Sequence, residues 1–275
     1  MKIRLSLILL LLSLPAFAFE FKPGATVEVR VELNEELRKL AGEGRISPVK
    51  FARIAAALPP GFDPARPWPI MVISATSSPR HYASNVRLLG FYAPAAAAAG
   101  WVLVAADPDP DIDEEADSNA MRVALIEAAF AALESKWPLA RKSPLAFGGF
   151  SGGAKRSGWL AGIYRLSGRQ AMGVFQAGIN EETVALAAKH FKALDDGYRQ
   201  VPVFLLAGTK DEIATESDHR RIERELKRAG FKHVQLETFP GPHAVDPRPL
   251  RRALAWFDEV RGKAAEPKDK QAEAR

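Results

Sequence analysis

Leu145-Ala146-Phe147-Gly148-Gly149-Phe150-Ser151-Gly152-Gly153-Ala154 is an apolar run that breaks into a glycine-flanked serine and continues as a helix-compatible stretch. Within it, Gly149-Phe150-Ser151-Gly152-Gly153 matches G-x-S-x-G. A serine hydroxyl becomes a useful nucleophile only when it is exposed, has a base to take its proton, and lies beside donors for an oxyanion. A sharp strand-to-helix turn supplies the exposure. It holds Ser151 at the tip in strained geometry, with glycine two positions to either side where a side chain would collide. The same turn aims the N–H of Gly152 at the place where negative charge would develop, and the following helix N-terminus favours that charge. A strand over 144–150 and a helix over 152–164 are therefore predicted.

Strands and helices alternate on both sides of this turn. Ile70-Met71-Val72-Ile73 and Trp101-Val102-Leu103-Val104-Ala105-Ala106 are continuous apolar runs that suit strands buried on both faces. The stretches 171–177 and 201–208 read the same way, with Pro202 near a strand start where a missing N–H is tolerated. Thr26–Leu33 and Val234–Phe239 alternate apolar with polar residues and read as strands at the two sheet edges. Helices are predicted at 35–41, 48–58, 85–99, 118–137, 181–191, 215–229 and 247–260, the second with Ser47 as cap and Pro48 in its first turn. Leu58-Pro59-Pro60-Gly61 through Pro69 is a proline-punctuated turn. The pattern predicts an α/β fold with a mostly parallel central sheet and helices on both faces.

The 275 residues, 47% of them hydrophobic, suit one large domain. Lys2 and Arg4, the apolar run Leu5–Leu14 and Ala16-Phe17-Ala18 have the layout of a cleaved secretory signal over 1–18. That run is too short to span a bilayer, so export to a periplasmic or extracellular location is expected, with no stable membrane insertion after cleavage. The remainder divides into an N-terminal strand-and-helix segment (19–57), a core (58–262) and a tail without apolar residues (263–275) expected to be disordered. The net charge of +5 is spread along the chain without a basic stripe, which argues against a nucleic-acid partner. The absence of cysteine rules out disulfides and thiolate chemistry. The acidic stretch Asp107–Asp117 lacks the glycine and terminal glutamate of a calcium loop. It reads as solvated, and neither a metal nor an organic cofactor is expected.

In such a sheet, function collects at the carboxyl ends of the strands. Asp211 follows the strand ending at Gly208, in position to hold an imidazole in one tautomer, with Glu212 and Asp218 as rival acids. Among His81, His190, His219, His233 and His243, only His243 lies in a short loop between the last strand and the last helix. Pro240, Gly241 and Pro242 stiffen that loop, as suits a general base. The order Ser151, Asp211, His243, each at a strand end, defines a candidate nucleophile–acid–base triad.

These residues, together with Leu58-Pro59-Pro60-Gly61-Phe62-Asp63 and Pro67-Trp68-Pro69-Ile70-Met71-Val72, Gly208-Thr209-Lys210-Asp211, Gly241-Pro242-His243 and Ala253-Leu254-Ala255-Trp256-Phe257, resemble the α/β-hydrolase superfamily over about 58–260. The likeness is to its exported esterases of the dienelactone-hydrolase-like and polyhydroxyalkanoate-depolymerase-like branches. It implies an α/β-hydrolase fold with Ser151 as nucleophile, His243 as base and Asp211 as its orienter. It also implies a second oxyanion N–H from the loop after Ile70–Ile73. There the family carries a His-Gly pair, where this chain has Ser74-Ala75-Thr76. A backbone donor needs no glycine, so Ala75 or else Thr76 is expected to be that donor beside Gly152, Ala75 being the one assigned, and Thr76 and Tyr82 are expected to border the pocket. The expected function is a secreted serine hydrolase, carboxylesterase-like, forming an acyl-enzyme on Ser151 and acting on a small or polymeric ester. The alternatives are a binding protein of this fold with impaired catalysis, motivated by the missing His-Gly pair, and a peptidase. Oligomeric state does not follow from the sequence.

Overall fold

The computed structural model describes residues 20–78, 81–109 and 117–265. The expected signal sequence (1–18) and most of the expected tail lie outside the described residues, as does the middle of the acidic stretch 107–117. Among the described residues ten strands and seven α-helices follow in the order β1 (Thr26–Glu32), α1 (Glu35–Ala41), β2 (Phe51–Ala57), β3 (Ile70–Ser74), β4 (Ser77–Ser78), β5 (His81–Tyr82), α2 (Asn85–Ala98), β6 (Val102–Asp109), α3 (Asn119–Glu134), β7 (Leu145–Phe150), α4 (Gly152–Leu166), β8 (Gly173–Ala177), α5 (Val184–His190), β9 (Val203–Gly208), α6 (Glu216–Arg228), β10 (Val234–Phe239) and α7 (Arg248–Ala265).

Eight strands form one sheet in the order β1-β2-β6-β3-β7-β8-β9-β10. From β6 to β10 every neighbouring pair is parallel. Only β2, antiparallel to both β1 and β6, runs against the rest. The chain leaves β3 to one side for β6 and returns to the other for β7. Their carboxyl ends therefore open a crevice at a reversal of strand order, where open α/β sheets bind ligands. Alternating residues of β3 serve the two faces. Ile70 and Val72 belong to the core layer shared with α3, α4, α5 and α6, whereas Met71 and Ile73 belong to the layer shared with α2 and α7. A strand buried on both faces needs an unbroken apolar run, which is why β3, β6 and β9 were readable.

Residues 48–58 correct the sequence expectation: Phe51–Ala57 is strand β2, and 48–50 are not helical. The alanines that favour a helix here meet a tertiary demand. Ala52, Ala55, Ala56 and Ala57 lie between β1 and β6 in a sheet covered on both sides, where small side chains fit and cross-strand pairing outweighs local preference. Ser47, expected as a helix cap, accepts the N–H of Val49 with its side chain (3.2 Å). A second correction concerns the last helix. It runs to Ala265, so the first residues of the expected tail are helical. The loop after β3 also contains a short antiparallel ribbon, β4–β5. Among the described residues no helix is long and apolar enough to cross a membrane.

Candidate active site

Ser151 lies between β7 and α4 at φ 54°, ψ −123°, left-handed geometry that a side-chain-bearing residue rarely adopts. The turn is over-determined by its neighbours. The N–H of Ser151 donates to Ala177 O at 2.8 Å, and the carbonyl of Ser74 presses onto the Cα positions of Gly149 and Gly153. Gly152 opens α4. As the first residue of a helix its N–H has no intrahelical acceptor, so it is free to bind negative charge.

The acid and the base come from β9 and β10. The two following loops are tied together by Thr209 N–H to Phe239 O and Lys210 N–H to Gly241 O, both at 2.9 Å. Gly208 permits this approach, because a Cβ there would overlap the carbonyl of Gly241. Asp211 Oδ1 accepts the N–H groups of Ile213 (2.9 Å) and Ala214 (2.8 Å), and Oδ2 lies 2.7 Å from His243 Nδ1. Burial pushes the Asp211 carboxyl up. The Ala214 N–H, the His243 ring and the Ile213 N–H together outweigh it and hold the pKa below its ordinary value. His243 Nε2 is 3.0 Å from Ser151 Oγ. The imidazole thus bridges carboxylate and hydroxyl, and with Asp211 ionised the consistent tautomer carries its proton on Nδ1. The His243 ring packs on Phe150, with centroids 4.7 Å apart. The rival acids lie elsewhere. Glu212 is exposed, and Asp218 completes the capping box of α6 with Thr215.

The loop after β3 departs from expectation. The Ala75 N–H, expected to face an oxyanion, instead donates to Asn85 Oδ1 at 2.6 Å and so is already spent. A carboxamide inside the fold thus competes with any substrate oxygen for this N–H. Thr76 is half-buried, and its hydroxyl donates to the carbonyl of Phe150 (3.3 Å), the residue before Ser151. The side chain of Tyr82 lies outside what the structure describes. The ends of the acidic stretch are not solvated: Asp107 and Asp117 are buried, and both pair with Arg122.

His219 lies on a charged amphipathic helix and not in a strand-end loop, so nothing in the sequence singles it out. It is fully buried. Its Nε2 accepts the N–H of Ile179 (3.1 Å) and its Nδ1 donates to Thr215 O (2.9 Å). Ile179 follows Gly178, whose Cα faces the rings of Phe150 and His243. A neutral His219 thus anchors the loop that backs the candidate base. Burial, the largest influence, holds its pKa below the ordinary 6.5. The folded state then resists a protonation that the unfolded chain accepts. The resulting stability is complete above about pH 6.5 and is lost as the pH falls below it toward the depressed value. Thermal unfolding followed between about pH 7.5 and 5 should show this loss. A His219→Gln variant should show a flatter dependence over the same window, and an unchanged slope would rule out His219 as its source. Protonation of Asp211 acts in a separate window, below its ordinary 3.8.

The sheet order, the strained serine turn and the three-loop convergence together define an α/β-hydrolase fold. Solved structures with this architecture include the substrate-bound fluorophosphonate-binding serine hydrolase F of Staphylococcus aureus (TM-score 0.57, 15% identity, covering 86% of this chain and 99% of that one). A lidless α/β serine hydrolase of Xanthomonas campestris gives 0.55 at 15% identity over 88% and 97% of the two chains. A cold-adapted esterase from an Arctic intertidal metagenomic library gives 0.55 at 16% over 88% and 96%. No protein-family model matches the chain, and no curated protein matches its sequence.

Proposed function

We propose that the chain is an exported serine hydrolase that cleaves carboxylic esters through an acyl-enzyme on Ser151. The observation that carries this reading is the unbroken hydrogen-bonded path Asp211–His243–Ser151, with the serine on a strained, glycine-cleared turn. Ser151 Oγ attacks the ester carbonyl while His243 Nε2 takes its proton, and Asp211 steadies the imidazolium through Nδ1. The N–H of Gly152 stabilises the oxyanion, reinforced by the start of α4. Collapse expels the alcohol with the proton from His243. Water, deprotonated by the same ring, then attacks the acyl group and releases the acid. Export is supported by the sequence pattern over 1–18, and esters are favoured by the esterases and serine hydrolases among the similar structures.

A fluorophosphonate probe tests the reading. It should label the wild-type protein and not Ser151→Ala, and an ester chain-length panel beside aminoacyl anilides should show faster turnover of the esters. Equal labelling of both proteins would discard the nucleophile. Faster anilide turnover would replace the esterase with a peptidase, and labelling without turnover of any substrate would favour a ligand-binding protein.

A further inference from the structure

We propose that Asn85 is a positioning residue for the oxyanion site, taking over the work of the absent His-Gly pair; the inference rests on the hydrolase reading above. Asn85 is the first residue of α2 and is buried. Its carboxamide is used at both ends. Oδ1 accepts the Ala75 N–H (2.6 Å), and Nδ2 donates to Ala106 O (2.8 Å) at the carboxyl end of β6. Its own backbone N–H donates to Asp107 Oδ1 (3.0 Å). Asp107 also accepts from Val86 N–H (3.1 Å) and from the Ser84 hydroxyl, and it faces Arg122. Arg122 reaches Asp117 through two bonds (2.5 and 2.7 Å), and Asp117 Oδ1 accepts from Arg156 at 3.0 Å. Arg156 stands one turn beyond Ser151 on α4. A continuous polar chain thus runs from the loop after β3, through the ends of β6 and the start of α3, back to the nucleophile helix.

The consequence is directional. With the Ala75 N–H drawn into this chain, the Thr76 N–H becomes the donor that the loop has to offer, and no described residue accepts it. The Thr76 hydroxyl on Phe150 O keeps that backbone beside Ser151. A glycine-containing loop with a histidine would be held by other means. Here a single carboxamide sets which N–H faces the substrate, and buried ion pairs hold the backbone behind it.

The test compares wild type, Asn85→Ala and Asn85→Asp on a p-nitrophenyl ester, with kcat normalised to active sites titrated by fluorophosphonate. Asn85→Ala should lose roughly 10- to 100-fold in kcat with KM changed less than about threefold, since donors aimed at an oxyanion act on the transition state. Its affinity for a trifluoromethyl ketone, which forms a tetrahedral oxyanion adduct, should fall by the same factor. Asn85→Asp keeps the acceptor for Ala75. Only when protonated does the new carboxyl also regain the donor to Ala106 O; burial at this position and the adjacent Asp107 both raise its pKa, and Arg122, which pairs with Asp107, opposes them. The ratio of its kcat to that of wild type should therefore climb as the pH falls from about 8 to about 5.5. A pH-independent ratio, or an Asn85→Ala kcat within about twofold of wild type, overturns the role of Asn85 while leaving the hydrolase reading intact. If Asn85→Ala does not fold, the pH ratio of Asn85→Asp decides alone. If wild type itself turns over no ester, both readings fall.

Discussion

Ser151→Ala and His243→Ala should each lower ester kcat by on the order of 10⁴- to 10⁶-fold, and the double variant should lose no more than the worse of the two. The non-additivity is the informative part. Nε2 of His243 has one partner in the path, Ser151 Oγ at 3.0 Å. Without the hydroxyl the ring has no proton to take, and without the ring the hydroxyl has no base. Each deletion therefore removes the whole function, and the second has nothing left to remove. Asp211→Asn should cost less, because the ring stays in place and loses its tautomer and its counter-charge. Asp211 is also held by the N–H groups of Ile213 and Ala214, so its replacement should leave the loop folded. Single-turnover rates of ester hydrolysis by the four variants, each corrected for the uncatalysed reaction, check the pattern. Losses that multiply in the double variant would mean that Ser151 and His243 act independently, and the triad assignment would fail.

How much of this was legible beforehand follows from which forces are local. The serine turn announced itself because backbone strain demands glycine at fixed offsets, and glycine is visible in a sequence. Asp211 and His243 were legible because parallel sheets put their chemistry at strand ends, so a loop position already says where a side chain points. The strand at Phe51–Ala57 was hidden because its alanines answer to neighbours from distant parts of the chain, β1 and β6. Asn85 and His219 were hidden for the same reason. Asn85 lies ten residues from Ala75 and twenty-one from Ala106, and His219 binds Ile179 forty residues away. A polar residue at the start of a helix and a histidine among charges look the same in sequence whether water or a buried N–H receives them. The one available hint was His219's place on α6, which shares a face with Ile222 and Leu226, both fully buried.

The second large effect concerns the turn's backbone. Gly153→Ala should destabilise the fold by about 3 kcal/mol or more, and the fraction that folds should hydrolyse esters poorly. A Cβ at Gly153 would run into the carbonyl of Ser74 and the backbone of Ala75, and one at Gly149 would meet the same carbonyl from the strand side. Neither obstacle is a side chain that can swing away. Relief requires β3 to move from β7, breaking the register that pairs Ser74 with Gly149, or α4 to tilt off the sheet. Either movement carries the loop of Ala75 and Thr76 away from Ser151, so stability and turnover should fall together. Gly90→Ala supplies the contrast. It lies on the exposed side of α2 with open space where the Cβ would go, and alanine there should stabilise the helix by about 0.5–1 kcal/mol without touching kcat. Thermal melts beside active-site-normalised kcat distinguish the two. A Gly153→Ala protein that melts with wild type and keeps its turnover would show that the Ser74 carbonyl can yield, and that the tight contact between β3 and the nucleophile turn is not what fixes the site.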